Sequence, residues 1–320
     1  MDLYLQSLQF TAGIVTPIFV IVLLGFVLRR QRLIDDAFIN TSSRLVFMVA
    51  LPTLVFMSIA RTDFQAVFNP ALLGYVFLAT LLSYVVIWWL AARRISSPED
   101  LGAFIQGAFR SNFGIIGMAL SFNLFGNSGL SQAAMILALV IPLYNVLSVI
   151  VLTVTLNRGT TAGVSIVQIL RAIALNPLII AVALALPFSY FGLHLPTVLD
   201  TTANYFANLT LPLALLAIGG SLNLKSLRNS SRAAFWATFT KLLLLPLLLV
   251  PLAAALGFRG VQLALLFVLF SSPTAAAAFV MARAMGANAQ LTANIILTTT
   301  LGSMLTLSAG IFLLRLLGVI

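Results

Sequence analysis

Two short strings hold the polar side chains that could do chemistry here: Arg110-Ser111-Asn112-Phe113-Gly114-Ile115-Ile116-Gly117 and Ser271-Ser272-Pro273-Thr274. Each interrupts an apolar stretch, and at an offset of 160 residues Ser271 and Ser272 align with Ser111 and Asn112. Serine followed by proline reads as an N-cap and first helical residue, so Ser272-Pro273 predicts a helix starting inside a hydrophobic span. Ser272 lies about 16 Å along that span at 1.5 Å per residue, near a bilayer midplane. Helix N-termini expose unpaired N–H groups and partial positive charge, and two aimed at one place attract an anion. Enzymatic alternatives lack parts: there is no His-Glu-x-x-His, no paired aspartates and no Gly-x-Ser-x-Gly. Cysteine is absent, which removes thiol chemistry and disulfides. Neither a metal site nor a cofactor site is expected.

Arg110, Lys241 and Arg283 are the cations inside predicted spans, whereas Asp2, Asp35, Asp36, Asp63, Glu99, Asp100 and Asp200 fall in termini or loops. An intramembrane cation without an acid costs a few kcal/mol by insertion scales and needs a counter-charge. A substrate carboxylate would supply one. Arg110 has two compatible roles, substrate contact or bonding to the carbonyls that end the first half of its broken helix. Lys241 reads either as a site residue or as a side chain snorkelling to the inner interface, and Arg283 as a topology anchor. Asn112, Ser111, Ser271, Ser272 and Thr274 offer uncharged hydrogen-bonding groups, with bonding to their own preceding turn as the plain alternative. Gly114 and Gly117 are backbone contacts or close-packing positions. Pro52 and Pro212 are structural kinks, and His194 is a surface residue of an outer loop. With no Asp or Glu in the spans a carboxylate proton relay has no members, so the coupling ion stays open between none, proton and sodium.

The elements that position these residues follow from composition. Charged residues are 8% of the 320-residue chain and apolar ones 61%, a balance that requires lipid as solvent. Ten segments reach the roughly 20 residues that cross about 30 Å of hydrocarbon: about 10–28, 42–60, 70–92, 102–125, 131–156, 174–191, 199–222, 233–256, 261–284 and 290–314. Barrel-type alternation is missing, so the expectation is an all-α integral membrane protein. Arg29, Arg30, Arg32, Arg44, Arg93, Arg94, Arg158, Arg171, Lys225, Arg228 and Arg232 fall on one side, with only Arg61, Arg259 and Arg315 opposite. That bias puts the first group in the cytoplasm and both termini outside, in the inner (plasma) membrane. The net charge of +10 is then topological, and nucleic acid is not an expected partner. An amphipathic stretch over Val164–Ile173 joins the halves.

Helix breakers recur at the same offset: Pro17 with Pro177, Pro52 with Pro212, Gly126 with Gly286. It divides the chain into 1–160 and 161–320, each with five spans, so the second repeat must insert inverted. Spans four and nine are the broken ones, and irregular backbone at that depth survives only inside protein or beside a cavity.

The chain resembles the auxin efflux carrier family, bacterial relatives of the plant PIN auxin exporters. The resemblance rests on Leu51-Pro52-Thr53-Leu54-Val55-Phe56, the Arg110–Gly117 string, Asn176-Pro177-Leu178, Leu211-Pro212-Leu213-Ala214, Ile218-Gly219-Gly220-Ser221-Leu222, Ser272-Pro273-Thr274-Ala275-Ala276 and Ala282-Arg283. It implies a scaffold bundle from 10–60 and 174–222, and a transport bundle from 70–156 and 233–314 crossing at helices 4 and 9. It also implies a homodimer, elevator-type alternating access and a small organic anion, such as a dicarboxylate or auxin-like acid, as substrate. The chain departs from the family in lacking the long cytoplasmic loop of many plant members and a proline in the fourth-span break. A sodium-coupled organic-anion symporter of the bile acid carrier type, with the same five-plus-five plan, is the alternative.

Overall fold

The computed structural model describes residues 20–61, 69–157, 174–221 and 231–320, with residues 17, 167, 170 and 171 placed singly. The linker stretch 164–173 therefore lies largely outside the described residues, as do Asp2, Asp63, Arg158, Lys225 and Arg228.

Every regular element among the described residues is helical. In chain order these are α1 (20–30), α2 (Asp36–Ala60), α3 (Pro70–Ala91), α4 (Pro98–Phe109) and α5 (Met118–Leu156). There follow α6 (Pro177–Phe191), α7 (Thr197–Ser221), α8 (231–255), α9 (Gly260–Ser271), α10 (Ala277–Met285) and α11 (Ala289–Leu316). Six of the described helices are long and apolar enough to cross a membrane: α2, α3, the part of α5 from Ser128, α7, α8 and α11. The apolar α6 and α9 are shorter. The chain is thus a helical, multi-pass membrane protein.

Ordinary caps start the helices. Asp35, Asn69, Ser97, Asn176 and Asn288 each accept a backbone N–H of the first turn, and Pro70, Pro98 and Pro177 sit where a missing N–H costs nothing. At the start of α4 the backbone and the Ser97 hydroxyl hold the exposed Glu99 carboxyl below its usual range. Two helices contain a π-helical turn, Val46–Ala50 in α2 and Thr240–Leu244 in α8. In each, a proline follows two residues later, Pro52 and Pro246. The wider turn opens the ladder at the place where proline offers no donor. Gly126 (φ 60°, ψ −145°) and Gly286 (φ 88°, ψ 15°) both have a positive φ, which glycine adopts without strain, although in different conformations.

Packing divides the helices into two neighbourhoods. α2 packs on α6 and α7, with the Phe56 and Phe188 rings edge to face at 5.2 Å, and α1 approaches α7 where Gly25 faces Leu216 and Gly219 faces Val22. Around α11 gather α4, α8, α9 and α10. Arg61, ending α2, is in a two-point ion pair with Asp200, in the first turn of α7, at 2.8 and 2.9 Å. The two helices therefore run antiparallel.

Candidate functional site

The site is built from two helices that stop short. α4 ends at Phe109, and Arg110 turns extended (φ −74°, ψ 131°) before the π-helical turn Phe113–Gly117 leads into α5. α9 ends at Ser271, Ser272 is extended (φ −64°, ψ 144°), and helix resumes only at Ala277. Proline disfavours helical backbone in the residue before it, which is why α9 stops at Ser271. The expected roles at this break need correction. Ser272 does not cap the next helix; its hydroxyl donates backward to the Val268 carbonyl at 2.6 Å, and Pro273 lies in the link rather than in the first turn.

The two links touch. The Asn112 N–H donates to the Pro273 carbonyl at 2.7 Å. Thr274 clasps the same junction, its hydroxyl donating to the Gly107 carbonyl at 2.6 Å and its N–H to the Thr299 hydroxyl at 3.1 Å. The start of α4 adjoins the start of α11 through Asn288, which reaches Asp100 Oδ1 and the Glu99 carbonyl. The start of α9 adjoins the far end, where the Gly260 N–H donates to the Val319 carbonyl. α4 and α9 thus start at opposite ends of a helix about 42 Å long and stop where they meet.

Beside the junction is a cavity of about 170 Å³. Arg110, Ser111, Asn112, Phe113 and Gly114 line one side, Ala275–Ala277 and Tyr144 contribute, and α2 and α7 close it with Leu51, Leu54, Ser58, Thr210 and Leu211. Gly117, Ser271, Ser272, Pro273, Thr274 and Lys241 are not on its wall. Gly117 is a packing position, since a Cβ there would collide with the Phe113 ring. Pro52 and Pro212 lie in α2 and α7, the helices that close the cavity, and do not line it.

Arg110 is 6% exposed. Its guanidinium donates to Asn145 Oδ1 at 2.8 Å, Ser148 Oγ at 3.2 Å and Met281 Sδ at 2.9 Å. All three partners are neutral, so its charge is held but not cancelled. The Phe109 carbonyl, one of those that end α4, is reached by Lys241, whose ammonium lies 3.5 Å from it. Lys241 does not snorkel: it is fully buried, turned inward from the π-helical turn of α8. Arg283 is partly exposed, and its Nε donates to Asn40 Oδ1 at 2.8 Å.

Sequence reasoning passed over Thr210, which lines the cavity as Ser111 does. Both residues are 6% exposed, and neither hydroxyl has a hydrogen-bond partner among the described residues. Asn145 and Ser148 were legible only as a polar pair three apart in an apolar span. A second hollow, of about 310 Å³, lies by Arg61, Asp200 and His194, but its cation and acid already neutralise each other. No cluster of three metal-ligating side chains occurs among the described residues.

Residues 11–311 match the family described as membrane transport protein. The chain is 25% identical over 296 residues to an uncharacterized transporter of Methanothermobacter thermautotrophicus, covering 92% of this chain and 95% of that one. It is 27% identical over 268 residues to the uncharacterized transporter YfdV of Escherichia coli, covering 81% and 84%. It is 25% identical over 314 residues to a Rhizobium meliloti protein named "Putative malonate transporter", covering 95% of each.

Proposed function

Because the chain belongs to the membrane transport protein family, the auxin efflux carriers, and is a transporter rather than an enzyme, we propose that it carries a small organic anion by alternating access, held at the α4/α9 junction. The observation that carries this reading is Arg110, a buried cation at the junction whose side-chain partners are all neutral. A permanent charge so placed attracts an anion into a site where water does not weaken the interaction.

Cavity size selects among anions. An apolar cavity of about 150 Å³ holds benzene, so about 170 Å³ suits an acid of six or seven heavy atoms. That favours a short dicarboxylate, such as the malonate in the Rhizobium meliloti relative's name, over auxin-like or bile acids. In this reading Ser111 and Thr210, which both line the cavity, bond the ligand.

The architecture we infer is ten spans in two inverted repeats. It is supported by the boundaries that recur near the 160-residue offset and by the opposed entries of α4 and α9. In that reading α1, α2, α6 and α7 are the scaffold, through which a homodimer forms, and α3–α5 with α8–α11 move as an elevator in the plasma membrane.

Malonate counterflow in proteoliposomes tests the proposal, with and without sodium. Saturable exchange of labelled malonate supports it; exchange that requires sodium would shift the reading to a symporter of the bile acid type. Arg110→Ala should lower kcat/KM at least about tenfold with expression retained, since hydrogen bonds to charged groups contribute about 1.5–3 kcal/mol. Unchanged kinetics would remove Arg110 from the site.

A further inference from the structure

We propose that Lys241 is the proton-binding site that couples the carrier to a pH gradient: the anion crosses with Lys241 protonated, and the empty carrier returns with it neutral. This rests on the transport reading above.

Lys241 is a buried titratable group that does not line the substrate cavity. It is fully buried, off the cavity wall, and has one hydrogen-bond partner among the described residues, the Phe109 carbonyl at 3.5 Å. An ammonium carries three donors, so this setting undersupplies the charged form, while a neutral amine loses little there. The elements against its π-helical turn are α4, α9 and α11. From α4 the charged groups are Glu99 and Asp100, in its first turn about 14 Å of helix rise away, and Arg110 just beyond its end. α9 contributes Arg259 at its N-cap, α11 contributes Arg315 in its last turn, and α8 itself also carries Arg232 at its start. No carboxylate among the described residues pairs with Lys241.

Charge counting supplies the coupling. The helices around the junction bury two cations, Arg110 and Lys241. A dicarboxylate offsets both. Without it, the bundle would cross carrying two uncompensated positive charges, which hydrocarbon surroundings penalise heavily. Arginine cannot shed its proton in a protein, whereas a buried lysine can. Releasing the Lys241 proton to water on the delivery side halves the buried charge for the return. The link is short: the Phe109 carbonyl that receives Lys241 immediately precedes Arg110–Asn112, which lines the cavity.

The experiment uses the full chain in proteoliposomes, with labelled malonate and the membrane potential clamped at zero by potassium and valinomycin. With the interior at pH 8 and the exterior at pH 7, one coupled proton should support about tenfold accumulation, each tenfold costing about 1.4 kcal/mol. Malonate entry should also acidify a trapped pH dye. Lys241→Met, normalised to its own counterflow without a gradient, should lose the accumulation. Three results would overturn the coupling while leaving the carrier reading intact: counterflow with no response to the gradient, no dye signal in the wild-type protein, or full accumulation by Lys241→Met. Absence of malonate counterflow would overturn both readings. Should Lys241→Met fail to fold, the wild-type gradient response and dye signal decide.

Discussion

Arg110 and Lys241 meet the expense of burial by different routes. The guanidinium spreads its donors over Asn145, Ser148 and Met281, a fork that a lysine could not reproduce. Lys241 has a single carbonyl at long range. Beside Arg110, the Ser111 hydroxyl, like that of Thr210 on α7, lines the cavity with no hydrogen-bond partner among the described residues, a cost that bonding to a ligand would offset. Thr210→Val should accordingly keep or slightly raise Tm while raising the KM for malonate several-fold, measured by thermal shift and uptake on the same preparation. A lowered Tm with unchanged KM would make Thr210 a packing residue. Of these residues, Arg110, Ser111 and Lys241 were legible in the sequence because polar side chains stand out in apolar spans. Thr210 was not. A threonine in a membrane helix usually bonds its own preceding turn, as Thr53 and Thr202 do here, and only the fold identifies an exception.

At the scale of elements, the sequence announced both interruptions but misassigned how they are made. Ser272-Pro273 has the composition of a helix start, yet proline acts backward, forcing Ser272 extended and ending α9. The fourth-span break has no proline, and the chain leaves the helix at Arg110 instead. Pro273→Leu lifts the restriction on Ser272. We expect α9 to lengthen, the Pro273 carbonyl to leave the Asn112 N–H, and uptake to fall to background while the protein still purifies as a helical species by circular dichroism. A fully active variant would show that the break does not depend on the proline. The π-helical turns of α2 and α8 were invisible beforehand, because prolines at Pro52 and Pro246 signal a kink but not the turn that absorbs it.

For the whole molecule, helix boundaries recur near the 160-residue offset: α5 from Ser128 and α11 from Ala289 stop at Leu156 and Leu316. Six of the ten expected segments correspond to described helices long and apolar enough to cross a membrane, and the first lies partly outside the described residues. Orientation in the membrane is a prediction of its own. The chain has no cysteine, so single cysteines report sidedness without background. A cysteine in place of Ser96 should react with an impermeant maleimide only from the cytoplasmic side, and one in place of His194 only from outside. Reversed labelling would invert the orientation argued from the cationic loops.

The hydrogen bond from Asn112 to Pro273 joins residues on either side of the chain's midpoint. Either segment expressed alone would leave a main-chain donor or acceptor bare in hydrocarbon, a loss of several kcal/mol per group. A gene severed between the halves should therefore yield function only when both fragments are made together, each serving as the other's missing interior.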